Sequence, residues 1–198
     1  MRDWDLSERE LLMTMSVEQV KGILTAYQQV INASWPDLHP DMAANAANWP
    51  SASAETLERE LQGYLAKSSS ASAVRVFWKL LPGYAFGDCN EHFARDAGLK
   101  RADMIGIDDF DRRLPWVHQA AKYRADDEAV VKSGHSKLNI VERQRGATGV
   151  ITWVRVGKAP IRTSQGVIGV LGAYELVDAK TGHQLLAAQN RGGPRKRT

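Results

Sequence analysis

The residues that could do chemistry are few and scattered. Cys89 is the single cysteine among 198 residues, so it has no partner for an internal disulfide and is too few for a cysteine-based metal site. It reads as a small buried hydrophobe in a reducing compartment. His39, His92, His118, His135 and His183 stand singly, with neither the i, i+4 pairing nor the glutamate spacing of a metal site. The carboxylate pairs Asp108-Asp109 and Asp126-Asp127 are adjacent in sequence, point in different directions and make poor acid/base dyads; a loop-tethering role is expected for the second pair. Gly166-Val-Ile-Gly169 is not followed by a helix, as dinucleotide binding requires, and no phosphate loop, nucleophile elbow or kinase signature occurs. With no catalytic constellation, the chain is not expected to be an enzyme.

Composition narrows the class without naming it. A hydrophobic fraction of 43% and a charged fraction of 25% are ordinary for a globular protein. No stretch approaches the roughly 18 apolar residues of a membrane span, and Met1-Arg2-Asp3-Trp4-Asp5 lacks the order of a signal peptide, so a cytoplasmic protein is expected. The net charge of +3 is a property of the end of the chain. The last eight residues, from Arg191 to Thr198, hold four positive charges, without which the balance is −1. A short basic Gly/Pro tail reads as solvated and disordered, and nucleic acid is not expected as a partner.

The elements that would position these residues divide the chain into residues 1–70, 71–178 and 179–198. In the first, Met13, Val17, Val20, Leu24, Tyr27 and Ile31 recur at alternating spacings of four and three, a stripe on one helix face. Ser16 with Gln19 reads as a capping box. The stripe serves either packing on its own domain or pairing in a homodimer. After an irregular stretch broken by Trp35-Pro36, His39-Pro40 and Trp49-Pro50, Leu57, Leu61 and Leu65 mark a helix over 53–67, and Ser68-Ser69-Ser70 reads as a hinge.

From Val74 the rhythm changes to strands. Residues 74–81 and 84–89 flank Pro82-Gly83 as a hairpin. Asn90 opens a short helix that Gly98 ends, and Pro115 opens a longer one closed by Gly134. Three further strands, 137–144, 150–162 and 167–177, are joined by Gly146-Ala-Thr-Gly149 and Thr163-Ser-Gln-Gly166. The pattern predicts an α+β domain, an antiparallel sheet with helices packed on one face.

Over about Val74 to Val177 the chain resembles the PAS (S-box) sensory domains of bacterial signal transduction. The matching residues are Phe77-Trp78-Lys79, then Cys89-Asn90-Glu91-His92-Phe93 with Ala97-Gly98, and Ile105-Gly106 with Asp109-Phe110-Asp111 and Leu114-Pro115-Trp116. Along the long helix come Tyr123-Arg124-Ala125-Asp126-Asp127, Val130-Val131 and Ser133-Gly134. Trp153, Lys158-Ala159-Pro160-Ile161 and the run Gly166 to Gly172 complete the likeness. The last strand departs from it, ending Glu175-Leu176-Val177-Asp178 where the family often has Asp-Ile-Thr.

The resemblance implies a five-stranded antiparallel sheet with a helical insert, and a module that binds a small ligand or partner and relays a conformational signal to a downstream effector as a dimer. Flavin photochemistry is not expected, because the family's reactive-cysteine motif is missing around Cys89. Haem-binding relatives use a histidine on the long helix, which leaves His118 as a candidate ligand for a haem-dependent sensor. A pocket between sheet and insert would be lined by Phe93, Met104, Phe110, Trp116, His118, Tyr123, Leu138, Ile140 and Trp153. The same residues can equally form a filled core, leaving a ligand-free interaction module, and strand register decides which face each takes.

Overall fold

A computed structural model describes residues 15–71, 73–145 and 150–192. Helix α1 (Val17–Ser34) begins where Ser16 accepts from the Gln19 backbone and the Gln19 side chain answers, closing the expected capping box. A short α2 (Met42–Ala46) and a 3-10 turn (Trp49–Ser51) lead into α3 (Ala54–Ala71). The hairpin β1 (Arg75–Leu80) and β2 (Ala85–Cys89) precedes two short helices, α4 (Glu91–Ala97) and α5 (Arg101–Met104). After a looping segment and a 3-10 turn (Val117–Gln119) come α6 (Ala120–Ser133), β3 (Lys137–Arg145), β4 (Ile151–Thr163), β5 (Gly166–Val177) and α7 (Ala179–Gly192).

The strands form one antiparallel sheet in the order β2-β1-β5-β4-β3, so the first hairpin joins the last strand at the centre. Gly166 turns β4 into β5 at φ 113°, a conformation that a side chain disfavours. Because side chains alternate across a strand, the sheet has two apolar faces, each with a large core, and a smaller cluster of Tyr84, Val130 and Val170. Val76, Trp78, Ala159, Ile161, Leu171 and Ala173 share one core with α1 and α3. Phe77, Phe86, Val154 and Tyr174 share the other with Phe93, Met104, Leu114 and Trp116 from the insert.

The insert covers one face, as the sequence placed it, and α1 and α3 cover the other. Val20, Leu24, Tyr27 and Ile31 are all fully buried on the chain's own sheet, each contributing about 1.5–3 kcal/mol, so this stripe is not free to pair with a second copy. Met13, at its start, lies outside the described residues, as do the Gly146–Gly149 turn and the tail beyond Gly192. Backbone approach fixes α1 in place: a Cβ at Gly22 would collide with the Arg162 carbonyl on β4.

One further expectation changes. The serine run is no hinge but the last turns of α3, because Ser68 is buried and bonded through its hydroxyl to Tyr27 at 2.5 Å. The residues after 178 begin as a helix, α7, which lies against β3 and β4 with Gly182 under the Trp153 ring. Among the described residues no helix is long and apolar enough to cross a membrane.

Candidate functional site

The start of the insert is fastened by the Asn90 side chain. Asn90 caps α4 by accepting from the Phe93 backbone at 3.1 Å, and the same oxygen accepts from Val76 while its amide donates to Val74 at 2.8 Å. The cap pins α4 to the edge of β1 and so sets Phe93 over the sheet. Phe93 then meets Phe77 at a ring separation of 4.7 Å, Phe86 at 5.4 Å, Trp116 at 5.4 Å and Tyr174 at 6.2 Å. Gly172 makes this possible, since a Cβ there would stand 2.5 Å from the Phe77 ring.

These rings wall a cavity of about 70 Å³ between sheet and insert, with Val154, Val156 and Tyr123 completing its apolar side. A single water needs roughly 10–15 Å³ on this scale, so the space admits several waters or one small ring.

The floor is ionic. Lys79, on the pocket side of β1, donates to Asp109 at 2.5 Å and to Asp127 at 2.7 Å, and Lys158 on β4 donates to the other Asp127 oxygen at 2.5 Å. Lys79, Asp109 and Asp127 are 1%, 2% and 0% exposed. Charges so far from water persist only when paired and hydrogen-bonded. The Lys79 ammonium also lies 4.9 Å from the centre of the Phe86 ring and 5.3 Å from that of Phe77.

The two carboxylates differ. Burial pushes the Asp109 carboxyl above its ordinary value despite the pull of Lys79. Burial acts on Asp127 in the same direction, but Lys158 and Lys79 together outweigh it and hold that carboxyl below its ordinary value. At the mouth, Lys122 on α6 bridges Asp126 at 3.0 Å and Glu142 on β3 at 2.7 Å. Asp126 and Asp127 do point apart, one to the rim and one to the floor.

Of the residues expected to line the site, the structure brings Phe93, Trp116 and Tyr123 together around the cavity. Met104 is buried in the same core without reaching the pocket. Phe110 turns outward, 49% exposed, beneath the Arg124 guanidinium. His118 is exposed on the 3-10 turn and does not line the cavity, which removes the imidazole on which the haem reading depended. Trp153 belongs to the opposite face, packed on His183, one residue out of step with Val154. Leu138 packs with α1, and Ile140, opposite Val156, stays off the lining.

Sequence reasoning missed Lys79, Asp109, Asp127, Lys158 and Glu142. A lysine inside the apolar run of β1 was the available signal, because a buried lysine must have an anionic partner. Cys89 is buried as expected, and burial pushes its thiol up to about 12. Among the described residues no group of three or more His, Cys, Asp or Glu is placed to hold a metal ion.

No family model and no curated protein matches the chain. Solved structures do. The phage VqmA–DPO complex is 19% identical at a TM-score of 0.51, covering 71% of this chain and 62% of that one. The Vibrio cholerae VqmA–ligand–DNA complex is 25% identical at 0.45, covering 62% and 57%. The PAS domain of a protein from Colwellia psychrerythraea is 17% identical at 0.45, covering 59% and 97%. The fold, a five-stranded antiparallel sheet with helices, is the one shared with the phage VqmA complex. The chain spans between 47% and 62% of the VqmA chains it matches. One of these neighbours is a DNA complex, whereas the tail of this chain led to no expectation of a nucleic-acid partner.

Proposed function

We propose that the chain is a sensory module that binds one small aromatic molecule between sheet and insert and passes the change in packing to an effector. The observation that carries this reading is the aromatic-walled cavity over the Lys79–Asp109–Asp127–Lys158 cluster. Concave apolar space with a few convergent polar groups is the usual form of a small-molecule site. The ammonium groups of the cluster are hydrogen-bond donors without acceptor capacity, so the floor favours a ligand carrying an oxygen or nitrogen acceptor. Ligand binding would shift the population between two packings of the insert on the sheet. A signalling dimer would pair through a surface other than the α1 stripe.

The test is thermal unfolding against single-ring compounds bearing a carbonyl or hydroxyl. A ligand at a hundred times its Kd adds about 2.7 kcal/mol, which raises Tm by about 5–10 °C for a chain of this size. Val156→Trp, which fills the cavity, should abolish the shift. No shift with any such compound refutes the reading.

A further inference from the structure

Among the described residues, Lys79 is the one hydrogen-bond donor to Asp109. The remaining members of the floor are better held: Asp127 has both oxygens bonded, one to Lys79 and one to Lys158. Asp109 is also the member on irregular backbone, in the looping segment between α5 and α6, whereas Lys79, Lys158 and Asp127 stand on strands and a helix. It lines the cavity; an acceptor entering from the aromatic side meets the Lys79 ammonium where Asp109 now sits. Asp109 is the contact most readily exchanged.

Resting on the pocket reading above, we infer that a ligand's acceptor atom takes over the Lys79 N–H from Asp109, and that Asp109 takes up a proton as the ligand binds. The surroundings dictate the proton. Asp109 faces Lys79 from β1, Lys158 from β4 and Asp127 from α6, with Asp126 and Glu142 on the pocket wall and Lys122 tied to both. Once Lys79 turns to the ligand, a nearly inaccessible carboxylate remains with Asp127 beside it and no hydrogen bond of its own. Such a group is neutralised rather than left charged. The protonated acid then carries an O–H that can donate to the same ligand. The exchange is written R–COO⁻ + H⁺ → R–COOH, the proton coming from solvent and no bond to the ligand being formed.

The experiment uses benzamide as the acceptor-bearing probe and toluene as its acceptor-free counterpart, titrated calorimetrically at pH 7 in buffers of different ionisation enthalpy. The expected result is close to one proton taken up per benzamide bound, none per toluene, and none per benzamide in Asp109→Asn. Infrared difference spectra should show the carbonyl band of a protonated buried carboxylic acid on adding benzamide, absent in Asp109→Asn. Benzamide binding without proton uptake overturns the inference and leaves the pocket reading standing. Uptake that persists in Asp109→Asn overturns it as well. If neither probe binds the wild type, the pocket reading itself fails.

Discussion

Asp127→Asn is the substitution that most directly probes the ion cluster. The side chain is fully buried and serves two lysines, Lys79 at 2.7 Å and Lys158 at 2.5 Å. Asparagine keeps the shape and one acceptor but removes the anion shared by the buried Lys79 and the partly buried Lys158, leaving Asp109 bonded to Lys79. Removing one partner of a buried pair costs about 3–5 kcal/mol, because the surviving charge stays desolvated. With 2–4 °C of Tm per kcal/mol in a chain of this size, a loss of about 10 °C follows. The pH dependence gives the sign independently. The Asp127 carboxyl is held below its ordinary value, so its contribution is complete above pH 3.8 and is lost as pH falls toward the folded-state value. Asp109 is shifted the other way, so its ionised form opposes folding, and Asp109→Asn should cost far less. Urea unfolding of both variants, measured from pH 7 down to pH 3, decides the matter. A loss in Asp127→Asn within about 0.5 kcal/mol, the size of an ordinary surface change, would refute the reasoning.

Three other outcomes follow from the same structure. Gly172→Val should displace the Phe77 ring and cost about 1–3 kcal/mol, with loss of probe binding seen in the same melting assay. His39 is buried against Tyr27 and Ser68 and is held down to about 4 by burial and by Lys67, so the neutral ring is the folded form. Its contribution is complete above 6.5 and lost as pH falls toward about 4; a His39→Gln variant should show a flatter stability profile across that window. Gly182→Val should drive α7 away from the Trp153 ring, raising amide exchange along residues 179–192 while α1 and β5 keep their protection.

Local signals in the sequence marked most of the elements. Ser16 with Gln19, and Asn90, act through bonds three residues long, and they sit where the sequence placed them. The period-two runs of β3, β4 and β5 ended within a residue or so of their predicted limits. What could not be read was which face each residue takes. Trp153 and Val154 are neighbours on opposite sides of the sheet, and the choice depends on register with β5. At Leu138 the register shifts between Lys137 and Ile140, with Asn139 at φ 54°, which breaks the alternation that grouped Leu138 with Ile140. The ion cluster was hidden for a different reason. Its partners lie 30, 31 and 48 residues apart, so only the folded sheet brings them together. The α1 stripe was legible as a buried face, but whether it closes on its own sheet or on a second copy was left open by the sequence.

The claim at the centre of this account, that the cavity is a ligand site, is tested most directly by mass spectrometry of the small molecules released when the purified protein is denatured. The account predicts a single-ring, acceptor-bearing compound released in proportion to protein by the wild type and not by Val156→Trp. A wild type that releases nothing, and whose melting stays unmoved by single-ring compounds, would contradict it.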